Sequence, residues 1–105
     1  MITYVVEVPD DTDIMALPGV YVFKSPLKGA ELAVRTLDRI CKSPSATRSV
    51  LSPSGGFSSV RVPKFSAQLI SRYLNEAEVM SVLLLNMVTA EERTYSVKIY
   101  KTFIT

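Results

Sequence analysis

The sequence predicts an α+β fold, two helices against one sheet, within a single domain covering residues 1–105. Three observations predict it. Short runs rich in β-branched and aromatic residues recur from ITYVVEV near the start to TYSVKIYK near the end, bounded by Pro, Gly and Asp turns. Two other segments repeat apolar residues every three or four positions, the helical period. Finally, 105 residues of which 48% are apolar and 21% charged suffice for one core and fall in the ordinary globular range.

Residues 1–8 read as a strand, stopped by Pro9 and the acidic turn DDTD. Residues 20–24, after Pro18 and Gly19, form a second strand, with Val20 and Val22 expected toward the helices and Tyr21 and Phe23 on the other face. Ser25 then serves as a helix N-cap with Pro26 in the first helical position, where its missing N–H costs nothing. Over 27–42, Leu27, Ala30, Ala33, Val34, Leu37, Ile40 and Cys41 make one apolar stripe, with Lys28, Glu31, Arg35, Asp38 and Arg39 opposite.

Residues 43–59 turn to Ser, Pro and Gly and read largely as loop, interrupted by a short strand at 47–51. Alternation returns over 57–62, with Val60 and Val62 on one face and Phe57, Ser59 and Arg61 on the other. Phe65, Leu69, Ile70, Tyr73 and Leu74 then mark a second helix over 65–74. Residues 78–90 admit a helix, begun by an Asn75/Glu78 capping pair, or a strand over 80–88. The strand is preferred, because Tyr95, Val97 and Ile99 alternate as its partner across the polar TAEER turn. Both faces of that strand are apolar, so a further layer is expected over the sheet: the terminal strands or a second copy of the chain.

The chain contains no histidine, which removes the commonest general base, the usual serine and cysteine triads and most zinc sites. The reading is therefore non-enzymatic, with no cofactor. Asp10, Asp11 and Asp13 lack the glycine and distal glutamate of a calcium loop and read as a solvated turn rather than a metal site. Gly55 and Gly56 sit in no phosphate-cradling motif. Cys41, alone and at an apolar helical position, reads as a packed thiol.

The first fifteen residues hold four acids and no base, the wrong start for a leader, and the apolar run at 79–88 is too short to span a bilayer. A cytoplasmic protein without a membrane partner is expected. The net charge of +2 hides an asymmetry, with −4 over residues 1–23, +7 over 24–73 and −1 over 74–105. Gathered on one surface, the middle bases would attract nucleic acid or an acidic protein.

From residue 20 to residue 88 the expected elements run β-α-β-β-α-β, the ferredoxin-like order of a two-layer sandwich, with extra N- and C-terminal strands outside it. Within that order, the stretch VYVFKS at 20–25 resembles the first-strand motif of the RNA recognition motif family. GFSSVRV at 56–62 is similar to that family's third-strand motif, with Ser59 where a second aromatic belongs. The resemblance implies bases stacked on Tyr21 and Phe57, with Lys24 and Arg61 near phosphates. Arg48 and Lys64 complete the expected nucleic-acid-binding set. Single-stranded nucleic acid is the first expected partner. A protein-interaction module is the other reading, a small phage-type inhibitor or an assembly subunit acting by surface complementarity. Its motive is surplus apolar strand surface ending in Tyr100, Phe103 and Ile104, suited to a partner's sheet edge or a homo-oligomer.

Overall fold

The computed structural model describes residues 1–9, 18–41, 45–52 and 58–104. Eight elements follow along the chain: β1 (Ile2–Val8), β2 (Gly19–Phe23), α1 (Pro26–Ile40), β3 (Thr47–Ser52), β4 (Ser58–Val62), α2 (Ala67–Glu76), β5 (Val82–Val88) and β6 (Thr94–Phe103). The six strands form one antiparallel sheet in the order β2-β1-β6-β5-β3-β4. Both helices lie on one side of it, and the shortest dimension of the molecule, 20 Å, fits one helix layer on one sheet.

Each helix begins where its cap requires. The Ser25 hydroxyl accepts from the Lys28 N–H at 3.4 Å and Pro26 opens α1. In α2 the Ser66 hydroxyl accepts from the Leu69 N–H at 3.3 Å. Phe65 before that cap and Ile70 four residues into the helix are both buried in the core, the arrangement of a hydrophobic staple. The Lys101 ammonium donates to the Asn75 carbonyl at 2.8 Å, placing a cation at the negative end of α2.

The core is set by alternation along four strands. Val6, Val8, Val50, Leu83, Leu85, Met87, Val97 and Ile99 point toward Ala30, Ala33 and Leu37 of α1 and Ile70 and Leu74 of α2. Gly29 faces the sheet from α1, where a methyl would stand 3.5 Å from Phe23 and Val6 side chains and 3.6 Å from Ile99, ordinary van der Waals contact. Cys41, at the C-cap of α1, is half-buried against this cluster. Residues 82–88 are strand, and β5 pairs with β6 through a turn in which the Thr89 N–H donates to the Arg93 carbonyl at 2.8 Å.

Two expectations are corrected. The chain order β-α-β-β-α-β occurs from β2 to β5, but the sheet order differs from the ferredoxin-like one. The terminal strands β1 and β6 pair with each other in the middle of the sheet, between β2 and β5, instead of flanking or covering it. In consequence β2 and β4 are the two outer edges.

The second correction concerns β2. Tyr21 and Phe23 pack on the helix side, in register with Val6 and Tyr4, while Val20 and Val22 are 62% and 55% exposed on the other face. Both sets of side chains on β2 are apolar, so alternation alone leaves the choice open, and the larger aromatic area is the set that is buried. β6 pairs with β5 over Thr94–Tyr100 and with β1 over Lys98–Phe103, so strands flank it on both sides only over Lys98–Tyr100, and β2 and β4 are the outer strands of the sheet.

Candidate interaction face

The expected nucleic-acid-binding residues do not converge. Tyr21 is half-buried at one edge of the sheet, and Lys24 follows it, exposed, at the end of β2. Phe57 lies outside the described residues, but the strand it precedes, β4, is the opposite edge. Five strand spacings separate β2 from β4, about 24 Å. A single base cannot bridge that distance.

Arg61 is exposed on β4 and Lys64 is exposed in the turn after it, so these two cations share a corner. Arg48 belongs to the interior. It is 4% exposed on the helix side of β3, where its guanidinium donates to the Ala46 carbonyl at 3.3 Å and to the Cys41 carbonyl at 3.1 Å. Arg48 thereby ties the end of α1 to the start of β3. The remaining bases of the middle segment are divided as well, since Lys28, Arg35 and Arg39 stand on the outer side of α1 with Glu31 and Asp38 between them. The acidic turn at 10–13 and the Gly55–Gly56 pair lie outside the described residues. Among the described residues no three metal-ligating side chains cluster, and no helix is long and apolar enough to cross a membrane.

The surface that stands out is the face of the sheet turned away from the helices. No described helix or strand lies over it. Strand register arranges its side chains in rows that cross the sheet. One row is Val22, Val5, Tyr100 and Val82, across β2, β1, β6 and β5. The next is Val20, Glu7, Lys98 and Leu84 on the same four strands, continued by Leu51 on β3. A polar row, Ser96, Asn86, Ser49 and Arg61, lies beyond, and there the Ser96 hydroxyl donates to the Asn86 side chain. A groove of about 510 Å³ opens between Val20, Glu7, Lys98, Leu84 and Ser96.

The face was partly legible: the two-sided apolar character of β5 announces it. Glu7, Lys98 and Tyr100 could not be found that way, because they meet only through the pairing of the first strand with the last.

Burial raises the Tyr100 hydroxyl pKa above its ordinary 10.0, and the Glu7 carboxylate, its diagonal neighbour across β1 and β6, raises it further. The folded state therefore holds this proton more firmly than the unfolded chain does. That contribution to stability is intact below about pH 10 and is lost as pH climbs through the folded value. Glu7→Gln is expected to lower the Tyr100 pKa, read from the Cζ chemical shift during an NMR titration. An unchanged midpoint would place the carboxylate elsewhere.

No protein-family model matches the chain, and neither a curated protein nor a solved structure matches it.

Proposed function

We propose that this chain is a non-enzymatic binding protein that uses the face of its sheet over which no described helix or strand lies to pack against a protein surface. The observation that carries the reading is the apolar set Val20, Val22, Tyr100, Val82 and Leu84 on the side that neither helix reaches, with Val5, only 5% exposed, packed between Val22 and Tyr100. Two valines more than half exposed on one short strand are costly in water, and contiguous apolar surface of this kind marks interaction sites. The charged residues near this set, Glu7 and Lys98, are cross-strand neighbours of opposite sign. The central patch therefore carries no net charge to draw a polyanion, which favours protein over nucleic acid as its ligand.

Photo-crosslinking separates the two classes of partner. A benzophenone side chain replaces Val22 on the open face, Gln68 on the outer side of α2, or Arg61 at the β4 corner. Protein adducts from position 22 and none from position 68 are the expected result. Nucleic-acid adducts from position 61, with none of any kind from position 22, would replace this reading with the other.

A further inference from the structure

We propose that the ligand of the open face is a second copy of this chain, packed face to face about a two-fold axis that runs along the strands between β1 and β6. This rests on the reading of that face as the binding surface. A two-fold interface brings one patch against itself, so the patch must be self-complementary. An axis along the strands between β1 and β6 exchanges β1 with the partner's β6 and β2 with the partner's β5.

The two central rows satisfy that exchange position by position. Val22 falls over Val82 of the other copy, and Tyr100 over the position of Val5, which is only 5% exposed and adds little contact of its own. In the next row Val20 falls over Leu84 and Glu7 over Lys98. Apolar meets apolar and each charge meets its opposite, twice over by symmetry. Two twisted sheets pack in this aligned way at a crossing of about 30° and a spacing of about 10 Å, which keeps rows near the axis together. Farther out, β3 and β4 overhang the partner's edge, so Ser49 and Arg61 remain at the wet rim.

The area sets the strength. Under this exchange about seven residues of β1 and of β6 overlap, and about four of β2 and of β5, which at about 4.8 Å by 3.3 Å per residue gives roughly 350 Å² in projection for each copy. With side-chain relief counted on both copies, the total stays below the ~1,000 Å² typical of specific stable association, in the range of weak, transient contacts. A dimer that dissociates on dilution follows, and wild-type protein should show a weight-average mass that climbs with concentration in sedimentation equilibrium.

The decisive experiment mixes two variants. Glu7→Lys sets two ammonium groups, at positions 7 and 98, against the same two in the partner, and Lys98→Glu does the same with carboxylates. Each alone should weaken self-association at least about tenfold. Mixed together they should form a heterodimer of near wild-type affinity, because each pair of ammonium groups now faces a pair of carboxylates. Cooperative unfolding of each variant checks that it is folded. Val22→Lys, at an exposed edge position, gives an independent way to abolish the dimer without touching the core. A wild-type protein that stays monomeric at every concentration, or a mixture that forms no heterodimer, overturns the proposal. Adducts from position 22 to a different protein would then leave the face in use with another occupant, whereas no adducts there would remove both readings.

Discussion

Leu85→Ala is expected to cost about 3–4 kcal/mol of folding stability, within the range for Leu-to-Ala changes that leave a cavity in a core. Leu85 is fully buried at the middle of β5 on the helix side, with Val97 and Val50 beside it in register on the neighbouring strands. Every direction open to collapse is already occupied by sheet neighbours or by the helices, so the void persists. Against a total of about 5–15 kcal/mol for a domain of this size, the loss is a large fraction. Urea denaturation should show the midpoint falling with an unchanged slope. The neighbouring change Leu84→Ala supplies the contrast. Leu84 is half-buried on the open face, so at protein concentrations low enough to keep the chain monomeric its removal should cost about 1 kcal/mol or less. Equal losses at 84 and 85 would mean that both faces of the sheet are covered, contrary to the two-layer architecture.

The same pair of leucines marks where sequence pattern is informative and where it stops. Alternation identified β5 and β6 as strands and divided their residues correctly between two faces, and the Ser25–Pro26 signal with the stripe from Leu27 to Cys41 located α1 within two residues. These are local properties, fixed by propensity and period. Strand order is not local. The pairing of β1 with β6 joins the first residues to the last, with the Met1 carbonyl accepting from the Ile104 N–H, and no periodicity within either strand specifies that neighbour. Placing β1 and β6 between β2 and β5 separated the two segments that resemble RNA recognition motif strands. It also created the Glu7–Lys98 and Val5–Tyr100 neighbours on which the interaction face depends. Charge was misleading for a related reason. A basic residue in sequence reads as surface, and whether it instead serves buried carbonyls depends on where a loop returns.

Arg48 is that case, and Arg48→Met is expected to cost about 2–4 kcal/mol, as for a buried charged donor whose acceptors are left without it. The methionine keeps most of the apolar volume against the core but cannot donate to the Cys41 and Ala46 carbonyls, which meet this one guanidinium from either side of the α1–β3 connection. Arg48→Lys should recover only part of the loss, because a single ammonium on a shorter stem cannot reach in two fixed directions as the planar fork does. Arg61, exposed on the edge strand, is the control: Arg61→Ala should change stability by less than about 0.5 kcal/mol. If Arg48 were instead a surface contact for a polyanion, the two substitutions would be equally silent in denaturation. A large loss at position 48 beside silence at position 61 identifies the first as the bond between the end of a helix and the start of a strand, and leaves the second, with Lys64, as the accessible cations of that corner.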